Sequence, residues 1–303
     1  MTVTANAEPH GKDYAYPMPG VYAPEYRTKR IRDLINEKEK LTPGDMANIQ
    51  FDQESYLAPV FLEHLIPIIP DEYSIIRESL TSWDHVLDKA GYEGSIYHET
   101  METFLRLIWA DDMGMDLAEQ YLDTWYISLN RWVMMLEDNT HFWYDKIDTD
   151  EVENRDDLLK EAFDKALVSL EEKYGTSDTE KWIWGTIHNI AFHHPFEAKG
   201  GLIKKFFNYG PFPFGGDGET VNRATHVFTK PYMAEMTASM RLIIDMADAS
   251  KSQMANASGQ VGMPLQDHYT DLVDKWLAGE YIDMHLDREN LGDVQELQLM
   301  PLE

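Results

Sequence analysis

The sequence predicts an α+β protein, because helical and strand-like patterns are segregated along the chain. Amphipathic periodicity of the helical kind dominates roughly the first 180 residues, whereas strand-like runs with frequent Gly and Pro occupy roughly the last 120. The chain has 303 residues and a hydrophobic fraction of 43%, which suffices for a packed core. Neither an internal repeat nor a long linker is evident, so we expect residues 1–303 to form a single domain.

The first helices are indicated by their start signals. A helix is expected over residues 24–38, where Pro24 suits the first turn. Thr42-Pro43-Gly44-Asp45 marks the next start, with Thr as the cap and Asp near the positive end of the helix. The helical pattern continues to about residue 69 and again over residues 71–80.

The middle of the chain continues the helical pattern. Ser95 is a candidate N-cap for a helix whose apolar positions recur over residues 97–108, and the same period predicts a further helix over residues 117–132. Residues 145–157 are rich in acids and predict a solvated loop or the entry to a helix. An amphipathic helix is expected after it, over residues 158–170.

Strand candidates lie mainly in the last third. Residues 220–228 and 239–246 are the best of these, residues 252–257 are weaker, and a short helix is expected near residues 266–277. Val3-Thr4-Ala5 is a candidate strand end near the start. Gly215-Gly216-Asp217-Gly218 predicts a tight turn entering a sheet. A phosphate cradle is not expected there, because such a loop requires a helix after it and a strand pattern follows instead.

Composition excludes several functions. The net charge of -28 argues against a nucleic-acid partner, since phosphate binding needs a basic face. Zero cysteines exclude disulfides, thiolate zinc sites and a Cys nucleophile. No stretch reaches the roughly 18 apolar residues of a membrane span, and residues 1–13 lack the pattern of a targeting signal. We therefore expect no membrane association, while localisation stays open.

Two polar clusters are weak candidates for metal binding. His188, His193 and His194 are spaced by five and six residues, and Pro195 prevents a helix from continuing, so packing roles are expected. Residues 148–153 resemble the opening of a calcium loop, but the sixth position holds Glu153 where glycine is required. A solvated surface is the simpler interpretation of that acidic run.

Several sequence blocks carry a more specific signal when taken in order. Near the start they comprise residues 3–9 (VTANAEP), 24–31 (PEYRTKRI), 41–46 and 49–52, followed by residues 82–84, 188–195, 215–222, 258–264 and 268–271. Their order and spacing resemble the penicillin acylase (penicillin amidase) family of N-terminal-nucleophile hydrolases over nearly the whole chain.

The resemblance implies part of a four-layer αββα fold and the hydrolysis of linear amides. Family members use a new N-terminal Ser as the nucleophile, with its own α-amino group as the base. By position, Asn6 is similar to the family's oxyanion-hole asparagine, and Arg27 to the arginine that orients the active site. The alternatives are a turn asparagine at Asn6 and an ordinary exposed helix arginine at Arg27. Arg30 lies close enough in the sequence that it could be matched to the family's arginine in place of Arg27.

The chain also departs from the family pattern. The oxyanion-hole asparagine lies far into the large chain in the family but is the sixth residue here, and Ala7 stands where the family has a second Asn. We therefore expect a C-terminal portion of the large chain that lacks the short chain and the nucleophile, and that is inactive without a separate partner chain. Thr2 is a poor substitute nucleophile, since four extended residues span roughly 13 Å. No cofactor is expected. A structural Ca²⁺ is common in the family, but Asp13 is the only Asp in the relevant interval and its spacing is off, so no metal ligand is assigned.

Other functions remain open at this stage. The chain could be an inactive truncated remnant, or a non-catalytic protein that binds partners through its helical half. Residues 125–143 are rich in aromatic side chains, although core packing explains their helical spacing. The acyl substrate also stays open among penicillins, cephalosporin side chains, acyl-homoserine lactones and other amides, so a role in antibiotic metabolism is implied by the resemblance alone.

Overall fold

A computed structural model describes residues 1–11, 13–292, 294 and 296–301. The chain divides into two compact units: Met1–Glu39 with Phe51–Thr237, and Lys40–Gln50 with Ala238–Glu303. The single domain expected from the sequence stays a prediction.

Most of the α-helices belong to the first unit. In chain order the α-helices are α1 (Tyr26–Asn36), α2 (Pro43–Gln50), α3 (Ala58–Leu65), α4 (Ser74–Ser82), α5 (Glu93–Met113), α6 (Met115–Leu122), α7 (Tyr126–Leu136), α8 (Arg155–Tyr174), α9 (Trp184–Ile187), α10 (Gly201–Phe207) and α11 (Val273–Leu277). Helices α2 and α11 belong to the second unit. None of the helices in the described part of the chain is long and apolar enough to cross a membrane.

The strands follow the long helices and form small sheets. They are β1 (Asn189–Phe192), β2 (Tyr209–Pro213), β3 (Ala224–Thr225), β4 (Met233–Ala234), β5 (Met236–Thr237), β6 (Met240–Ile243), β7 (Gln253–Asn256) and β8 (Ile282–Asp283). Strand β1 pairs antiparallel with β2 and parallel with β4, and β3 pairs antiparallel with β5. In the second unit β6, β7 and β8 form an antiparallel sheet. The predicted α+β class is confirmed.

The core of the first unit is built around α5 and α8, which pack against each other. Helix α8 begins at a capping box in which the Asn154 side chain accepts from the Asp157 N–H and the Asp157 side chain accepts from the Asn154 N–H. It ends at Gly175, whose φ of 67° suits the left-handed conformation of a helix terminus. Phe61 is fully buried, with its ring 5.9 Å from that of Phe104. These contacts form part of the packed helical core of the first unit.

The second unit is a small sheet with a tryptophan at its centre. Trp276 on α11 is fully buried, and its indole N–H donates to the carbonyl of Ala238 at 2.9 Å. The guanidinium of Arg241 on β6 lies 4.7 Å from the Trp276 ring. Arg241 is buried, and its positive charge is stabilised by this cation–π contact with the Trp276 ring.

Several expected boundaries differ from the structure. Residues 3–5 form no strand, and Ala7 instead makes one isolated parallel bridge with Ala23. Ser95 lies inside α5, which starts two residues earlier because the Tyr92 carbonyl already accepts from the Ser95 N–H. The helix expected over residues 117–132 is broken between α6 and α7, where Trp125 has a φ of 52°. Of the strand expected over residues 220–228, only β3 is formed, because the residues before it belong to a turn.

Candidate active site

The N-terminal segment of the chain holds Asn6 beside the start of α1. The carbonyl of Asn6 accepts from the N–H of Ala23 at 2.9 Å, and the next residue forms the bridge to Ala23. Asn6 has a φ of 67°, a left-handed conformation that asparagine tolerates better than most residues. Its side chain is exposed. The backbone therefore presents this amide next to the first turn of α1.

Arg27 lies in that first turn, and it binds the Asn6 side chain. It is only 7% exposed, and its Nη2 donates to Asn6 Oδ1 at 3.2 Å and to the Tyr126 hydroxyl at 2.9 Å. The Tyr126 hydroxyl lies 3.4 Å from the same Asn6 oxygen, to which it can donate. A guanidinium has only donors, so the amide oxygen of Asn6 must face it. The Asn6 NH₂ therefore points elsewhere, and it makes no hydrogen bond within the described residues.

Arg30, the other arginine that could be matched to the family's arginine, binds carboxylates and not Asn6. Its Nε and Nη2 donate to the two carboxylate oxygens of Asp52 at 2.9 and 2.6 Å. The carboxylate of Glu54 lies 2.8 Å from the same Nη2. These hydrogen bonds, above all that with Asp52, raise the pKa of Arg30. Arg27 is therefore the arginine at Asn6, and the alternative of an exposed helix arginine does not describe it.

A buried turn brings an acidic side chain to Arg27. Gly216 has a φ of 77°, and a Cβ there would lie 2.6 Å from the carbonyl oxygen of Asn222, so this position requires glycine. Asp217 Oδ1 accepts from the N–H groups of Glu219 at 2.7 Å and Thr220 at 2.8 Å. Burial raises the pKa of Asp217, but His98 and these N–H groups outweigh burial and lower it. The turn thereby fixes the position of the Glu219 backbone.

The Glu219 carboxyl is buried beside Arg27. Its Oε2 lies 3.9 Å from Arg27 Nε, and the side chain is 7% exposed. Burial raises the pKa of Glu219 to about 8; the Arg27 charge opposes this, and the Asp217 charge adds to it. The carboxyl is therefore largely protonated near neutral pH. Arg27 keeps most of its positive charge uncompensated, which suits a site where negative charge develops.

A second arginine extends this positive region. The Arg223 guanidinium lies 5.7 Å from the Trp125 ring and 5.8 Å from the Tyr126 ring, and its Nε donates to Thr225 Oγ1 at 2.8 Å. Burial lowers the pKa of Arg223, and the nearby Arg27 charge lowers it further. Two aromatic rings and a hydroxyl thus support Arg223, which carries a second positive charge near Glu219.

A cavity of about 110 Å³ lies against these residues. Tyr126, Glu219 and Arg223 contribute polar groups to its lining, and Leu105, Leu129, Trp132 and Phe228 contribute apolar surface. His98, Glu102 and His226 line the same cavity, with ligand-type atoms within 4.8 Å of one another. The sequence analysis missed this second group, although His98 and Glu102 are spaced one helical turn apart, which is a readable signal.

The histidines singled out from the sequence lie in different environments. His188 is fully buried, with Nδ1 2.7 Å from the Phe214 carbonyl oxygen and its ring stacked 4.4 Å from that of Trp184. Burial, helped by the nearby His226, lowers the pKa of His188 to about 3. His193 is exposed beside Glu197, at 2.7 Å. This arrangement agrees with the packing role expected for His188.

The other sequence candidates also lie outside the cluster at Asn6. Asp13 is exposed, and it belongs to neither group of potential metal ligands found in the described part of the chain, so this structure gives no support for a calcium site there. The Glu153 carboxylate accepts from the Lys146 N–H and the Thr149 hydroxyl at an exposed position. Within the aromatic segment, Trp132 is buried in the core whereas Phe142 is exposed. Core packing thus explains part of that segment.

The sequence and the fold of the chain agree with one protein family. The chain belongs to the penicillin amidase family, whose sequence profile matches residues 1–293. A thermostable penicillin G acylase from Alcaligenes faecalis shares the fold, with a TM-score of 0.58 and 12% identity. The match covers 99% of this chain and 57% of that one.

Curated relatives are similar over most of this chain. Acyl-homoserine lactone acylase QuiP of Pseudomonas aeruginosa is 26% identical over 305 residues, covering 90% of this chain and 36% of that protein. QuiP of Pseudomonas fluorescens strain Pf0-1 is 24% identical and covers 96% of this chain and 37% of its own length. Penicillin acylase 2 proenzyme of Pseudomonas sp. strain SE83 is 24% identical, and the match covers 84% of this chain and 32% of that protein. The chain therefore spans about a third of the length of these relatives.

Proposed function

We propose that this chain supplies the oxyanion-stabilising side of a penicillin-amidase-like hydrolase of linear amides. The observation that carries the proposal is the hydrogen bond from Arg27 Nη2 to Asn6 Oδ1, at 3.2 Å. It turns the Asn6 amide so that its NH₂ group is left as a donor. That donor is the group that a developing oxyanion requires.

The chemistry is acyl transfer to a hydroxyl and then to water. The hydroxyl oxygen attacks the amide carbonyl carbon, its proton passes to the base, and the carbonyl oxygen becomes negatively charged. Asn6 Nδ2 donates to that oxygen, while Arg27 holds the amide in place. Collapse of the intermediate breaks the C–N bond, and the leaving amine takes the proton. Water then attacks the acyl carbonyl carbon and gives its proton to the base. Collapse of this second intermediate breaks the ester C–O bond, and the oxygen of the nucleophile takes the proton back.

The positive charge at the site supports this assignment. Arg27 is buried beside Glu219, whose pKa of about 8 keeps its carboxyl largely protonated near neutral pH. A positive charge that is already in place when the oxyanion forms stabilises the transition state without rearrangement. Asn6 is the group that touches the oxyanion in this proposal, and Arg27 acts through it as a positioning residue.

The nucleophile is proposed to come from outside these residues. We infer an N-terminal Ser, carried by a separate chain or segment that also supplies its α-amino group as the base. The family resemblance of Asn6 and Arg27 supports this arrangement. For the substrate, the names of the relatives favour N-acyl-homoserine lactones first and penicillins second, so both belong in the assay panel.

Co-expression with a nucleophile-bearing chain tests the proposal, with hydrolysis of both substrate classes as the readout. We expect Asn6→Ala to lower kcat by roughly 10²–10³-fold, since that is the usual cost of one oxyanion donor. Asn290→Ala removes the same side-chain amide at an exposed position and serves as the matched control. A folded complex without amide hydrolysis would identify the chain as a remnant or a binding protein. Full activity in Asn6→Ala would show that Asn6 is not the donor.

A further inference from the structure

A buried histidine–carboxylate cluster lines the cavity of the first unit. His98 and Glu102 lie one turn apart on α5, so their side chains share a face of the helix. His226 follows β3 and reaches the same point, and one ligand-type atom from each of the three residues lies within 4.8 Å of the others. Metal ligands at positions i and i+4 of a helix, with a third ligand from elsewhere, form a familiar arrangement.

Three of the four ring nitrogens in this cluster lack hydrogen bonds within the described residues. His98 is only 3% exposed, and neither of its ring nitrogens makes a hydrogen bond within the described residues. Its Nε2 lies 3.3 Å from Asp217 Oδ2, without hydrogen-bond geometry. The buried Nδ1 of His226 is likewise without a hydrogen bond there. Buried polar atoms are nearly always paired, so a His98 ring with neither nitrogen hydrogen-bonded needs an explanation, and an ion bound to one of those nitrogens supplies it.

We propose that His98, Glu102 and His226 bind a single Zn²⁺ ion. Two imidazoles and one carboxylate, with no thiolate, form the ligand set of zinc sites that keep an open fourth position. The cavity offers room for a water at that position. The ligand set includes neither Asn6 nor Arg27, although it shares a cavity with Glu219 and Arg223, and the inference does not depend on amide hydrolysis.

Binding requires a small change in hydrogen bonding. His226 Nε2 now lies 2.5 Å from Glu102 Oε1, a bond that the ion replaces. The ring binds the ion as a neutral imidazole with its one proton on Nδ1, and any further proton goes to solvent. Arg106 Nη1 donates to the other oxygen, Oε2, at 3.1 Å. It stays in place and orients the carboxylate, as a second layer of contacts does in metal sites. The competing interpretation is a charge network of His226, Glu102 and Arg106 alone.

Zinc binding to the purified protein tests this inference. After removal of metal with a chelator, we expect one equivalent of added Zn²⁺ to remain after dialysis, measured by elemental analysis. His98→Gln and His226→Gln should each weaken binding at least about tenfold in calorimetric titration. His193→Gln is the matched control, because His193 also lies beside a carboxylate at i+4, Glu197, but on the surface. Its affinity should equal that of the unmodified protein.

Two results would overturn the site. One is the absence of stoichiometric zinc; the other is a loss of binding in His193→Gln that equals the loss in His98→Gln. Circular dichroism shows whether the variants fold. If His98→Gln does not, Co²⁺ added to the unmodified protein decides the question. The intense visible absorption of a four-coordinate ion, with imidazole nitrogens detected by electron spin-echo spectroscopy, supports the site, and the spectrum of hydrated Co²⁺ excludes it.

Discussion

Arg27 Nε lies 3.9 Å from Glu219 Oε2, and both side chains are buried. Neither of these two atoms makes a hydrogen bond within the residues that the structure describes. At this separation the pair has an electrostatic interaction without the directional contact of a tight salt bridge. Burial raises the pKa of Glu219 to about 8 in spite of that interaction. The arrangement leaves the Arg27 guanidinium to bind Asn6 and Tyr126 through its other end.

Arg27→Lys should destabilise the protein even though it conserves the charge. One Nη2 of Arg27 binds both Asn6 Oδ1 and the Tyr126 hydroxyl, and a lysine ammonium lacks the planar fork that reaches both while pointing Nε toward Glu219. We expect the free energy of unfolding to fall by about 1–3 kcal/mol. Urea denaturation at constant pH measures it.

Arg32→Lys provides the matched control on the same helix. Arg32 is exposed on α1, so its replacement should change the free energy of unfolding by less than about 0.5 kcal/mol. Equal effects of the two substitutions would mean that the hydrogen bonds of Arg27 contribute nothing beyond its charge.

Sequence patterns predicted the parts of the fold that depend on local spacing. The division into a helical part and a strand-bearing part follows from periodicity, and α8 lies where its apolar positions indicated. The break before α7 was not predictable, because it depends on the left-handed backbone of Trp125, a residue with no preference for that conformation. Strands β1 and β2 were not predicted either. They are short, so their sequences are too brief to show a clear alternation of apolar and polar residues, and their pairing is visible only in the structure.

The candidate site was predictable only in part. Asn6 and Arg27 came from resemblance, and the structure brings them into hydrogen-bond contact across 21 residues. Tyr126 was missed because 99 residues separate it from Arg27, and no local pattern reports such a contact. Glu219 lies inside a glycine-rich block that was recognised as a turn. Its burial against an arginine is a tertiary property that the turn pattern does not contain.

Asp217→Ala should cost stability because two buried backbone donors lose their acceptor. Asp217 Oδ1 accepts from the N–H groups of Glu219 and Thr220, all within the buried turn. An unpaired buried donor costs about 1–3 kcal/mol, so we expect a loss of about 2–5 kcal/mol in the free energy of unfolding. Urea denaturation again gives the measurement.

Asp248→Ala tests whether burial is responsible for that loss. Asp248 Oδ1 accepts from the N–H of Ser250 in the same kind of turn, but its side chain is 44% exposed. In the alanine variant, water can replace the carboxylate as the acceptor for the Ser250 N–H. The free energy of unfolding should therefore fall by less than about 1 kcal/mol. If both alanine variants lose the same amount, burial of the Asp217 turn has no special cost.

Glu219→Gln should change how stability depends on pH. The ordinary pKa of 4.5 applies to the unfolded chain, and the folded value is about 8, so between these values only the folded state holds the proton. The free energy of unfolding therefore falls as pH rises through this window, by at most about 1.4 kcal/mol per unit. Glutamine cannot ionise and escapes this loss. The variant should gain stability relative to the unmodified protein from about pH 4.5 to about pH 8, and the difference should be constant above that.

Urea denaturation of both proteins across this range measures the difference, with the exposed Glu289→Gln as the control. Taking the difference matters because His188, whose pKa burial lowers to about 3, contributes a slope of opposite sign below pH 6.5 in every variant that keeps it. That slope cancels between Glu219→Gln and the unmodified protein, as it does for the control. A difference that stays flat for Glu219→Gln, as expected for Glu289→Gln, would mean that Glu219 ionises in the folded protein as readily as in the unfolded chain. In that case Arg27 would have a charged partner at neutral pH, and the positive charge proposed to assist Asn6 would be neutralised.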